Sequence, residues 1–218
     1  MGIIVREYID EEGRSPYAQW FTGLNAVAAA KVTTALYRLK QGNFSNVKGI
    51  GEGIFEYRVD FGPGYRIYFG KDGDRIVILV GGGTKKRQSH DIKAAKRCWQ
   101  TYKARMRYMG MAITKDFRET VKARAETDPE FRRALLIEAV HAFLTRDVEV
   151  GKSILRDYIN ATVGFEELAE ALDKQSKSLH RMLGPKGNPS SNNLFDILQV
   201  LQEREGVELE VVARQKAA

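Results

Sequence analysis

The chain has 218 residues, 43% of them apolar and 29% charged, a balance that suits a folded protein and excludes global disorder. The length accommodates one large domain or two of about 100 residues. Apolar runs such as "IVILV" fall well short of the roughly 18 residues that span a bilayer, so no membrane segment is expected.

"MGIIVREYIDEE" turns acidic within a few residues, so no secretory leader is expected either. The lone Cys98 offers no internal disulfide and no thiolate cluster, which suits a cytoplasmic protein. The net charge of +7 is uneven: 19 Lys and Arg stand against 10 Asp and Glu up to Tyr108, and 16 against 18 after it. That asymmetry predicts a basic module able to meet phosphates, followed by a slightly acidic one able to sit against it.

In chain order, "GIIVREYID" is β-branched and predicts a strand. "RSPYAQWF" predicts a helix capped by Ser15 with Pro16 in its first turn. "NAVAAAKVTTALYRLKQG" places Ala28, Val32, Ala35, Leu36 and Leu39 on one helical face, and Gly42 ends it. "GIGEG" lacks the strand, the Lys-Ser/Thr pair and the helix of a phosphate cradle, and reads as a loop. The period then becomes two: Phe55, Tyr57, Val59 and Phe61 share one face of a strand, and Glu56, Arg58 and Asp60 the other.

"GPG" and "KDGD" turn the chain through a hairpin meander, and the continuously apolar "RIVILV" suits a central strand covered on both sides. A last helix follows in "IKAAKRCWQTYK". The order βααβββα predicts a small α+β module. Arg58 and Arg66 lie on adjacent strands away from the apolar face, and the turn after "GGG" adds Lys85, Lys86, Arg87 and His90. Together they form a candidate anion site.

The stretch "FEYRVDFGPGYRIYFGKDGDRIVILVGGGTKKRQSHDIKAAKRCW", with "EYID" and "GNFSNVKGIGEG" before it, resembles the HigB-like branch of the RelE/ParE toxin superfamily over residues 1–105. The resemblance implies a RelE-like fold and ribosome-dependent, metal-independent cleavage of mRNA, without cofactors. In that reaction the ribose 2′-hydroxyl attacks the adjacent phosphate, which needs a proton acceptor, a proton donor and cations against the developing charge. Arg58 and Arg66 are then expected to stabilise the phosphate, Lys85, Lys86 and Arg87 to hold RNA or assist proton transfer, and His90 to do acid–base work. Relatives in the ParE branch poison DNA gyrase instead.

Three of the five methionines, Met106, Met109 and Met111, cluster in "YKARMRYMGMAITKDF". Beyond them "AITKDFRETVKARAETD" predicts a helix capped by Thr114, and "DPEFRRALLIEAVHAFLTRD" another, opened by Asp128 and Pro129. Phe131, Leu135, Ala139, Ala142 and Phe143 share a face of the latter, and His141 is expected to be packed within it. "VEVGKSILRDYINATVG" predicts a further helix. "FEELAEAL", a break at "DKQ", and "SKSLHRML" ending at Gly184 have helix-turn-helix spacing over residues 165–184, closed by a helix from Asn192.

Leu168, Ala169, Leu172, Leu179, Leu183 and Leu198 would form the core of that unit. Gln175, Ser176, Lys177, Ser178 and Arg181 would face the DNA major groove, with His180 and Lys186 touching the backbone. "AITKDFRETVKARAETDPEFRRALLIEAV", "ILRDYINATVGFEELAEAL" and "KSLHRMLGPKGNPSSNNLF" resemble HigA-type antitoxins over residues 111–213. The resemblance implies operator binding as a dimer. The alternating "VELEVVAR" is expected to form a short strand, placed at that dimer interface.

The sequence thus reads as a type II toxin–antitoxin pair on one cytoplasmic chain, with a toxin domain at 1–105, a linker at 106–110 and an antitoxin domain at 111–218. The expected partners are the two domains for each other, mRNA on the ribosome for the free toxin, operator DNA, and a second copy through the antitoxin domain. The intact chain is expected to be inhibited. Two alternatives remain at this stage: a DNA-binding repressor with an inert toxin-like half, and a gyrase poison joined to its antitoxin.

Overall fold

A computed structural model describes residues 2–109 and 114–213. The architecture is mixed α/β, with an N-terminal sheet of six strands followed mostly by helices. β1 (Ile4–Tyr8) leads to α1 (Pro16–Thr22), which Ser15 caps through its side chain with Pro16 in the first turn. Next come α2 (Ala26–Lys40), capped by Asn25, a short β2 (Val47–Gly49), then β3 (Ile54–Val59), β4 (Tyr65–Asp72) and β5 (Ile76–Thr84). A 3-10 turn, Lys85–Arg87, opens directly into α3 (Gln88–Met109).

The meander therefore holds one strand more than the sequence order predicted. β2 covers part of the stretch read as a loop, because a three-residue edge strand carries no visible period. The sheet runs β2-β3-β4-β5-β1 and continues into β6 (Thr114–Asp116), with β1 parallel to β5 and every other pair antiparallel. β5 is central and covered on both faces, as its unbroken apolar run predicts. On one face α3 lays Ala95, Trp99 and Tyr102 against Tyr8, Ile54, Tyr68, Ile78 and Val80. On the other lie α1 and α2. Glycine makes both approaches possible: a Cβ at Gly70 would collide with the Trp99 ring, and one at Gly82 with the Trp20 ring.

The expected linker and cap take a different form. α3 continues to Met109, so residues 106–109 are helical, while Gly110 and Met111 lie outside the described residues. Thr114 is not a helix cap but the first residue of β6, and its hydroxyl and carbonyl accept Arg6 Nε and Nη2 at 2.6 and 2.9 Å. Asp116 caps α4 (Phe117–Thr127) in a reciprocal box with Glu119. α5 (Pro129–Leu144) starts at Asp128 and Pro129 as predicted, and α6 (Val148–Ala161) follows.

The apolar face of α5 is buried at Phe131, Leu135, Ala139 and Ala142, whereas His141 is exposed rather than packed. Two compact units result, Met1–Ala161 and Thr162–Ala218, so the boundary falls after α6 rather than near Gly110. The second unit holds α7 (Phe165–Ala171), α8 (Ser176–Met182) and α9 (Ser191–Glu205). Residues 207–213 form no strand, and Val211 and Val212 are exposed.

Within the first unit, Glu7 of β1 is fully buried where β6 and α4 join the sheet. Lys115 Nζ lies 3.5 Å from its carboxylate, but burial has the larger effect and raises its pKa. Because the folded state then holds the proton more tightly than the unfolded chain, stability falls as pH climbs above the ordinary value of 4.5. Glu7→Gln is expected to flatten that dependence and to be more stable than the parent at neutral pH, measured by urea unfolding across a pH series.

Candidate functional site: a cationic turn and a pair of short helices

Arg58 and Arg66 stand directly opposite each other on β3 and β4, so both side chains leave the sheet on the same face. Their environments differ. Arg58 is exposed and makes no ion pair among the described residues. Arg66 is only 9% exposed: its Nε lies 3.2 Å from Glu56 Oε2, and its Nη1 donates to the Gly64 carbonyl at 3.1 Å. Glu56, 2% exposed, also accepts Gln88 Nε2 from the start of α3 at 2.7 Å. Arg66 is therefore occupied internally, and a phosphate that meets the strand pair in this conformation meets Arg58.

Lys85, Lys86 and Arg87 occupy the exposed 3-10 turn, and none forms an ion pair among the described residues. The Lys85 amide donates at 3.0 Å to the same Gly64 carbonyl that Arg66 holds. His90 follows in the first turn of α3, largely exposed, with Nδ1 3.4 Å from Asp91 Oδ1. The Asp91 carboxylate sits over Gly83, where any Cβ would collide with it. Gly83 is thus needed to bring the helix start down on the strand.

The strand alternation already placed Glu56 beside Arg58, but its hydrogen bond from Gln88 and its cross-strand neighbour Tyr68 carried no sequence signal. The Tyr68 hydroxyl is buried without a hydrogen-bond partner among the described residues. Burial first, then the charges of Glu56 and Asp91, raises its pKa far above the ordinary phenol value. It stays protonated and cannot serve as a base. The register puts Arg58, Arg66 and Gly83 in line across β3, β4 and β5, with the cationic turn following Gly83, and Arg58 also borders a concavity of about 290 Å³ with Lys31, Glu138 and His141. No cluster of His, Cys, Asp and Glu fit to hold a metal occurs among the described residues.

The core of the second unit contains the apolar residues expected to form it. Leu168, Ala169, Leu179, Leu183 and Leu198 are buried, Leu172 is half-buried, and Ile197 and Leu201 of α9 complete the core. Lys174, Gln175, Lys177, Ser178 and Arg181 line one concavity of about 440 Å³. Four of the expected DNA-facing residues therefore meet on one surface. The other three differ. The Ser176 hydroxyl is tied to Glu166 Oε1 at 3.2 Å, and the His180 ring stacks on Phe165 with centroids 3.8 Å apart, so each helps pack α8 against α7. Lys186 is exposed in the loop beyond α8, apart from that concavity.

The chain is 43% identical over 81 residues to an uncharacterized protein of Haemophilus influenzae, a match that covers 37% of this chain and 82% of that protein. It belongs to the family of that protein. No protein-family profile matches the chain, and no solved structure matches it. Among the described residues, no helix is long and apolar enough to cross a membrane.

The two arginines are expected to respond differently to substitution. Arg66→Ala strands a buried carboxylate and should cost about 3 kcal/mol. Arg58→Ala, at an exposed and unpaired position, should stay within about 0.5 kcal/mol of the parent. Urea unfolding of both variants measures the difference.

Proposed function

We propose that the chain is a toxin and its cognate antitoxin on one polypeptide: a RelE-like, metal-independent mRNA endoribonuclease over residues 1–109, and an antitoxin beyond it that neutralises the nuclease and binds operator DNA. One observation carries the reading. Residues 114–161 complete the sheet and core of residues 1–109, whereas the helix-turn-helix stands in a separate unit. That division matches a protein that must hold one partner and reach another. Up to α3 the strand and helix order departs from the one expected for the toxin fold by the short β2. The free cations at Arg58 and Lys85–Arg87 suit a phosphate backbone, as the concavity on α8 suits a duplex.

Neutralisation in the joined chain follows from proximity. A tether places the inhibitor at an effective concentration of about millimolar when it spans the two sites. Expression of residues 1–109 is expected to arrest bacterial growth with loss of mRNA, residues 111–218 supplied separately to relieve it, and the whole chain to be tolerated. Equal arrest by the fragment and the whole chain overturns the reading. DNA breaks in place of mRNA loss would instead mark a gyrase poison.

The internal pairing of Arg66 with Glu56 favours a second reading, a repressor whose toxin-like half is inert. No arrest by soluble, folded residues 1–109 selects that one. For the DNA surface, Lys177→Ala and Arg181→Ala are each expected to weaken binding to the duplex upstream of the chain's own gene, and each to lower the salt slope by about 1. Fluorescence anisotropy at several salt concentrations measures both.

A further inference from the structure

The pair formed by Glu56 and Arg66 calls for an explanation that phosphate binding does not supply. Burying two opposite charges is expensive, and such a pair is often no more stable than apolar residues of the same volume. Here the carboxylate does more than neutralise an arginine, because Glu56 Oε2 is shared between Arg66 Nε on β4 and Gln88 Nε2 at the start of α3. Gln88 directly follows the 3-10 turn that carries Lys85, Lys86 and Arg87. The other end of the turn is held as well: the Gly64 carbonyl accepts both the Lys85 amide at 3.0 Å and Arg66 Nη1 at 3.1 Å. The cationic turn is thus clamped at both ends by one buried ion pair, and the turn itself makes no ion pair among the described residues.

We propose that Glu56 and Gln88 are positioning residues, which aim the cations of Lys85–Arg87 beside Arg58 so that all of them meet one RNA backbone. The inference rests on the reading of this surface as an RNA-contacting one. It reassigns Arg66 from phosphate ligand to clamp. It also makes a prediction opposite to simple Coulomb attraction. Gln88 is uncharged, so its removal leaves the field at the surface unchanged and affects binding only through the orientation of the turn.

The test uses the full chain with Lys177→Ala and Arg181→Ala throughout, so that the helix-turn-helix contributes little. A fluorescein-labelled single-stranded polyuridine is the probe, read by anisotropy over a salt series. Gln88→Leu is expected to weaken binding about fivefold and, because it also removes a hydrogen bond to a buried carboxylate, to lower the melting temperature by about 2–4 °C while the chain stays folded. Its salt slope is expected to be shallower by about 1, as a phosphate contact is lost.

Glu56→Ala is expected to act in the same direction although it removes a negative charge, and Gln88→Leu keeps the question answerable if that variant does not fold. Parent affinity and slope in Gln88→Leu, with weakened binding in Arg58→Ala and Lys86→Ala, overturn the positioning role and leave the RNA surface standing. Parent binding in Arg58→Ala and Lys86→Ala overturns the RNA surface itself, and the positioning role with it.

Discussion

The first unit depends on the burial of α2 from every side. Ten of its side chains are buried: Ala28, Ala29, Ala30, Val32, Thr33, Thr34, Ala35, Leu36, Tyr37 and Leu39. An amphipathic surface helix buries one stripe, so a helix buried all round must lie between two layers. One layer is the sheet; the other is α5 and α6. Aromatic contacts run through this core on both sides of the seam, with Phe21 edge-on to Phe131 and Tyr37 edge-on to Phe117. Each such pair adds about 1 kcal/mol beyond its buried area.

The polar groups at the same seam set its register. Glu138 of α5 is buried and receives Lys31 Nζ at 2.6 Å and the Thr34 hydroxyl at 3.0 Å, both from α2. Arg124 of α4 donates to the Phe21 and Leu24 carbonyls at 2.7 Å each, satisfying the open end of α1. Arg38 reaches Asp147 at 2.7 Å. Each contact ties a residue before Met109 to one after Thr114, and each fixes a direction that apolar packing leaves free. α4–α6 lie against the helices on one side of the sheet, and Arg58, near the end of β3, borders a concavity of about 290 Å³ together with Lys31 and Arg38 of α2 and Glu138 and His141 of α5.

What the sequence revealed follows from the range of each signal. Caps at Ser15 and Asp128, the period-two run through Phe55, Tyr57 and Val59, and the leucines of α7, α8 and α9 are local patterns, and each corresponds to an element in the structure. The site was half legible. Alternation put Arg58 and Arg66 on one face, and the Gly-rich turn gathered Lys85–Arg87, but the tie of Glu56 to Gln88, 32 residues away, left no local signal. β2 and β6 are three-residue strands, too short for any period to show. The place of β6 beside β1 depends on a pairing of Arg6 with Asp116 that no local pattern encodes. His141 has apolar neighbours in sequence, yet it lies on the outer side of α5, because the buried face passes through Ala139 and Ala142.

The order of the elements along the chain sets a clock. Everything that forms the cationic surface precedes Met109, while the second layer over α2 ends only at Ala161. At ribosomal speeds of about 5–20 residues per second, those roughly fifty residues take on the order of 3–10 s to make. During each round of synthesis the N-terminal part therefore leaves the ribosome before its own covering layer. A folding rate slower than that interval would keep it unformed until the cover arrives, and the parallel pairing of β1 with β5, which joins residues more than 70 positions apart, is of the kind that folds slowly.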